Sequence, residues 1–325
     1  MKSFVCRVCD NPLYWENSVC TSCHTSVGYS REERAIVPLE KGTYTGDDDQ
    51  VWHVCRNLNL SGCTWLAPEG ADFCFSCGLT RTRPADDDVE GMSQYPVAEQ
   101  AKRRLIYELD ELGFPIVTRE QDPEQGLTFD LLYSSDEKIF IGHDSGVITI
   151  DLAESDAAYR EKMRIQLDEP YRTMLGHLRH EVGHYFEAQL VRGDRIEAAR
   201  ELFGDERESY ADAIERHYEQ GPPGDWQRSF LSSYATMHPF EDFAETFAHF
   251  LHIWDTIDTA NEFGLTTVDP SAFSLFRDLV TGVWMPLAIA LNQINRSMGK
   301  DPLYPFVIAG PVLDKLEFVA SLRDS

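Results

Sequence analysis

The chain has 325 residues, 42% of them apolar, and a formal charge of −26. That length admits more than one domain and that composition a real core, and no apolar run approaches the ~18 residues of a membrane span. Acidic runs such as GDDDQ and ADDDVE repel a phosphate backbone, which excludes nucleic acid as a general partner.

The N-terminal MKSFVCRVCD has neither the apolar run nor the small-residue cleavage site of an export signal, so a cytoplasmic location is expected. In a reducing compartment paired cysteines point to metal rather than disulfides. Cys6/Cys9 and Cys20/Cys23 are two C-x-x-C pairs separated by the hairpin-length DNPLYWENSV. Two such knuckles complete a closed tetrahedral site of four thiolates, the pattern of a structural zinc ribbon. Cys55, Cys63, Cys74 and Cys77 form a less regular second set, enough for one more structural zinc, with His24 and His53 as alternative donors. So small a region buries little apolar surface, and metal must supply much of its folding energy. Around Cys55 the stretch resembles small nuclear-pore-type zinc fingers, with Trp52 before and Asn57 after. That resemblance implies a ubiquitin-like protein partner; the acidity opposes the single-stranded RNA such modules also bind.

All eight cysteines lie before the charged, apolar-poor stretch RTRPADDDVEGMSQYP. A zinc-ribbon region over residues 1–84, a linker over 85–96 and a separable domain over 97–325 follow. VAEQAKRRLIYELDEL has apolar residues at helical spacing, with Gly113 as a stop. Three strand-like runs come next, LTFDLLY, KIFIG and GVITIDL, the last two joined by HDS as a hairpin connection. After Ser155 the pattern reads as helix. The fold class is α+β: zinc-ribbon modules, then a mainly helical domain with a small sheet.

EPYRTMLGHLRHEVGHYFEAQL has an apolar face of Leu175, Leu178, Val182, Phe186 and Leu190. On another face His180 and His184 stand one helical turn apart, and two neutral imidazoles so placed hold zinc with positions left open. Glu181 is rotated about 100° from His180, beside the metal rather than on it, where it can take a proton from water. This is the H-E-x-x-H pattern of a metallopeptidase helix. His177 lies on the same side one turn earlier, as an auxiliary candidate. A third ligand is expected from HPFEDFAETFAHFLHIW, where Pro239 suits a first helical turn. Glu241 and Glu245 share a face there; one can bind metal while the other accepts the second N–H of a ligating histidine.

With these segments the chain resembles the gluzincin clan, H-E-x-x-H on one helix and E-x-x-x-[DE] on a later one. More narrowly, it resembles bacterial zinc-binding metallopeptidases with an N-terminal zinc ribbon. CRVCDNPLYWENSVCTSC, FCFSCGLTRTRP, GVITIDLAESD, PYRTMLGHLRHEVGHYF and HPFEDFAETFAHFLHIWD carry the likeness, over nearly residues 5 to 255. The resemblance implies that Glu241 is the third ligand and Glu245 its supporting acid. It implies that Tyr234, seven residues before Glu241, donates to an oxyanion, helped by a histidine such as His238. It also implies that GVITIDL corresponds to the edge strand beside the cleft. Fifty-six residues separate His184 from Glu241, more than in thermolysin, so extra helices are expected near 195–203 and 207–219.

The expected function is a zinc peptidase with one catalytic and two structural zinc ions. Glu181 is its general base, and the ribbon region recruits a peptide or protein substrate. The competing expectation is a non-catalytic zinc-ribbon adaptor whose helical domain keeps a structural metal.

Overall fold

The two C-x-x-C segments adopt one and the same turn. Cys6 N–H donates to Asn11 O and Asp10 N–H back to Cys6 O; Cys20 N–H donates to Thr25 O and His24 N–H back to Cys20 O. Asp10 and His24 close these turns with positive φ, 58° and 59°, a conformation that favours short polar side chains. His24 is thus a turn residue. His53 directs Nδ1 at its neighbour's carbonyl, Val54 O, at 3.0 Å, and neither histidine joins a thiolate cluster.

The computed structural model describes residues 2–47, 49–133, 139, 141–156 and 173–324. Strands β1 (Phe4–Val5) and β2 (Pro12–Leu13) pair, as do β3 (Val27–Ser30) and β4 (Ala35–Pro38), all antiparallel. Strands β5 (Thr43–Thr45), β6 (Val51–Val54) and β7 (Leu66–Pro68) form an antiparallel sheet. The one-turn helix α1 (Leu58–Ser61) fills the gap between Cys55 and Cys63, and Gly62 ends it at φ 65°. A second short helix, α2 (Phe75–Gly78), is capped by Cys74, whose side chain accepts from Cys77 N–H. These turns fold the irregular second cysteine spacing into one cluster.

Strand β8 (Thr80–Thr82) leaves the cysteine region and pairs parallel with β9 (Thr128–Leu132). Between them runs α3 (Val89–Leu112), ended by Gly113 at φ 76°. Residues 89–96, expected as linker, are therefore helix. Asp88 caps it by accepting from Gly91 N–H, and Tyr95 is buried, so packing overrides the polar composition. Strand β11 (Val147–Asp151) pairs parallel with β9 and antiparallel with β10 (Gly142–Asp144), in the order β10-β11-β9-β8. HDS is thus mostly strand β10, and the hairpin turn is Ser145–Gly146, with φ 48° and 79°. GVITIDL is interior, and the exposed edge is β10. Of KIFIG, Lys138 and Phe140 lie outside the described residues, as do 157–172, where helix was expected.

The remaining chain is helical: α4 (Met174–Leu190), α5 (Arg195–Phe203), α6 (Tyr210–Gln220), α7 (Pro239–Glu262), α8 (Phe276–Leu279), α9 (Met285–Ser297) and α10 (Gly310–Ser321). Helices α5 and α6 are the extra pair expected between the two motif helices. Among the described residues no helix is long and apolar enough to cross a membrane. The class is α+β, a zinc-ribbon region followed by a helical domain with a small sheet.

One buried cluster runs from Phe4 to Leu322. Where the cysteine region meets α3, Trp15, Tyr29 and Trp65 pack around Tyr107, with Trp15 and Tyr107 ring centroids 4.4 Å apart. Arg31 forms a bidentate pair with Asp110 at 2.6 and 2.7 Å, and Lys2 and Ser3 bond Asp258 and Glu262 on α7. Lys102, fully buried beside the second thiolate cluster, bonds Glu99 at 2.7 Å, while Cys77 Sγ lies 3.5 Å from the same carboxylate. Lys102 and Arg103 stand where they would offset the negative charge of four thiolates around a divalent ion. Deleting residues 1–84 would remove β8, strip Tyr107 and uncover the buried Glu99–Lys102 pair. A chain starting at residue 85 is expected to lose cooperative folding. Thermal unfolding followed by circular dichroism checks this, and a sharp transition in the shortened chain would refute it.

Candidate active site

Helix α4 starts at Thr173, which caps it by accepting from Gly176 N–H at 2.9 Å. Leu178, Val182 and Phe186 are fully buried, and Phe186 stacks on Phe247 of α7 with centroids 5.4 Å apart. Helix α7 starts with Pro239 in its first turn, behind His238 as cap. The two helices meet backbone to backbone at Gly183: a Cβ there would lie 2.9 Å from Ala244 Cα and 3.1 Å from its carbonyl oxygen. Only glycine allows this approach.

That approach aims α7's acids at α4's histidines. Glu241 Oε2 lies 2.9 Å from His180 Nε2 and 3.5 Å from His184 Nε2. A tetrahedral zinc with bonds near 2.0–2.1 Å separates its ligand atoms by about 3.3 Å, so the three donors fit one ion. Glu245 Oε1 sits 2.8 Å from His180 Nδ1, and Ser232 donates to Glu245 Oε2 at 2.7 Å. Tyr210, on α6, donates to Glu241 Oε1 at 2.6 Å. The two four-cysteine clusters fit zinc by the same test. Sulfurs stand 3.7 Å apart in Cys6–Cys23 and Cys9–Cys20 and 3.6 Å apart in Cys63–Cys74. That is near the ~3.8 Å edge of a zinc–thiolate tetrahedron and far from a disulfide's ~2.0 Å.

Glu181 is buried beside these donors without joining them. Its Oε1 lies 3.2 Å from His177 Nε2, and His177 Nδ1 lies 2.7 Å from Glu154 Oε2. Burial alone would lower the His177 pKa, but Glu154 and then Glu181 outweigh it and raise it to about 9. Burial likewise opposes charge on Glu181, and contact with His177 and the nearby His180 and His184 reverses this, lowering its pKa. Glu181 Oε2 is buried with no hydrogen-bond partner among the described residues.

Tyr234 stands with its ring centroid 5.9 Å from that of His180 and within hydrogen-bonding reach of Tyr210. His238 does not join the site. Its Nδ1 accepts from Phe240 N–H and its Nε2 donates to Glu208 O at 3.1 Å, so both nitrogens are committed to the backbone. The cleft over the site measures about 590 Å³. It is walled by Ile141, Gly142 and His143 at edge strand β10, and by α5 on the far side. Burial, then His184, lowers the His143 pKa to about 4, leaving it neutral.

Residues 91–322 match the family described as "Putative zinc-binding metallo-peptidase". The chain belongs to this family. Residues 3–88 match a zinc-ribbon domain. Proteins from Mycobacterium bovis and from two strains of Mycobacterium tuberculosis are 47% identical to it over 337 residues, covering 100% of this chain and 96% of theirs. Their names, each an uncharacterized protein, assign no activity. No solved structure matches the chain. Zinc is the metal of this family, and the donor sets suit it.

Sequence reading missed Tyr210, Glu154, Ser232 and His143, which reach the site from other elements. It also missed the buried network behind it. Arg179 donates to Glu108 at 2.7 Å, to Asp255 at 2.8 Å and to His252 Nδ1 at 2.5 Å, tying α3, α4 and α7 together one residue from His180. An arginine inside an otherwise apolar stripe is the one local signal for it. Gly183→Ala is expected to cost about 1–3 kcal/mol of stability by overpacking. It should also weaken zinc binding at the histidine site while sparing the thiolate sites. Urea unfolding with chelator competition measures both; unchanged zinc affinity would show that this contact does not set the site.

Proposed function

We propose that the protein is a zinc-dependent peptidase that hydrolyses peptide bonds in the cleft between β10 and α5. The observation that carries this reading is Glu181 Oε2: a buried carboxylate oxygen without a partner, beside a three-donor metal set. A site that used metal for stability alone has no need of a base there.

His180, His184 and Glu241 hold the ion. When bound, zinc supplies a Lewis acid for the scissile carbonyl and lowers the pKa of water. Glu245 accepts a hydrogen bond from His180 Nδ1–H and so fixes its tautomer, leaving the Nε2 lone pair to face the ion. Tyr210 occupies the second oxygen of Glu241. Glu181 takes a proton from the attacking water through Oε2 and passes it to the leaving amine. Its other oxygen is pinned by His177, itself anchored by Glu154, so His177 positions the base. Tyr234 donates to the developing oxyanion. The two four-cysteine clusters each hold a structural zinc, and the region they shape recruits protein substrate in the cytoplasm.

Elemental analysis should find three zinc ions per chain and no disulfide; one zinc or none would sink the assignment. Glu181→Gln should keep all three ions but lose about 10²- to 10⁴-fold in turnover of a labelled peptide library. Full activity in that variant would leave the adaptor reading in its place. Glu241→Ala should empty the histidine site, whereas Glu245→Ala should weaken zinc there by about 10- to 100-fold. Zinc titration ranks the two, and the reverse order would exchange their roles.

A further inference from the structure

Helix α4 carries one more acid on the stripe that faces the cleft. Glu187 follows His180 and His184 at the i+7 and i+3 positions, which places it on their face, about 4.5 Å further along the axis than His184. It lines the same cleft and is half-buried. Among the described residues its carboxylate has no hydrogen bond and no ion pair. Burial, then the acids Glu241, Glu206 and Asp242, push its carboxyl above the usual carboxylate range.

The walls around it are apolar. Ala188 and Val191 continue α4, and Ile196, Ala199 and Phe203 face them from α5. The one Arg or Lys among the lining residues, Arg200, is already spent. Its guanidinium bonds both oxygens of Glu206 at 2.5 and 2.9 Å and Glu197 at 2.7 Å. The cleft therefore offers an aliphatic channel, beginning at the metal donors, with a lone carboxylate in its wall and no free basic side chain in its lining to answer it. A carboxylate left so is costly, and a cation arriving on an apolar stem relieves the cost. Lysine and arginine side chains have that construction, and the stem of either spans the offset between His184 and Glu187.

We propose that Glu187 and the α5 wall form the subsite for a basic substrate side chain, lysine or arginine, next to the scissile bond. This rests on the peptidase reading and adds the substrate class to it.

The test uses the full-length, zinc-loaded protein and two zinc-directed probes with equal stems, Nα-acetyl-lysine hydroxamate and Nα-acetyl-norleucine hydroxamate. Calorimetry should show the lysine probe binding at least about tenfold tighter, the scale of one charge-assisted pair in a partly buried site. Glu187→Gln and Glu187→Ala should erase that difference while keeping the zinc content and the norleucine affinity. An N-acetylated peptide library should show the same preference in cleavage, lost in both variants. Equal binding of the two probes by the wild-type protein overturns the proposal, as does a preference that survives in Glu187→Gln. Preference confined to norleucine hydroxamate with a free α-amine overturns it too, since the carboxylate would then read the peptide terminus. If neither probe binds a protein carrying three zinc ions, the peptidase reading itself fails, and this subsite with it.

Discussion

The contact between Gly183 and Ala244 is the constraint on which the site depends. At that crossing two helices approach more closely than any side chain on Gly183 would permit. His180 and His184 flank the glycine, and Glu241 and Glu245 flank the alanine, so one crossing point positions the three candidate metal donors and the acid behind His180. Behind it the phenylalanines of both helices fill the core. Beside it Arg179 links α3, α4 and α7 through Glu108 and Asp255. Burying such charges is expensive, and it is tolerated because each finds a partner. The result is a rigid frame with its polar atoms turned toward one cleft.

The cysteine region is part of that frame. It supplies the strand β8 to the shared sheet, the aromatic cluster against Tyr107, and the ion pairs that hold the ends of α3 and α7. The buried Glu99–Lys102 pair of α3 faces the second thiolate cluster. The second thiolate cluster and α3 are thus in direct contact, although more than a hundred residues separate Cys55 from the histidine helix.

Around Glu181, geometry separates two carboxylates that could otherwise compete. Glu241 is enclosed by two histidines and a tyrosine, which favour a charged, ligating carboxylate. Glu181 has one oxygen held through His177 and Glu154 and the other unpartnered. For the proton transfer proposed above, a fixed orientation serves the need to hold the accepting atom within hydrogen-bonding distance.

Much of this was legible in the sequence because it depends on short spacings. Two C-x-x-C turns, the four-residue histidine step, the proline at the start of α7 and the glycine after α3 act through the backbone within a turn or two. Other features depend on which elements become neighbours, and periodicity is silent about that. Composition made residues 89–96 a linker, but the burial of Tyr95 made them helix. GVITIDL looked like the edge strand, but β10 pairs outside it. His238 looked free for catalysis, but the backbone takes both its nitrogens. Glu241 and Glu245 share a face in any helix. Only the crossing at Ala244 directs one to the Nε2 side of His180 and the other to the Nδ1 side. Sequence alone determined the donor types and their local geometry, since helix and turn periodicity fix which side chains share a face. Tertiary structure decided which donor meets which, since that distance is set by how closely two packed helices can approach.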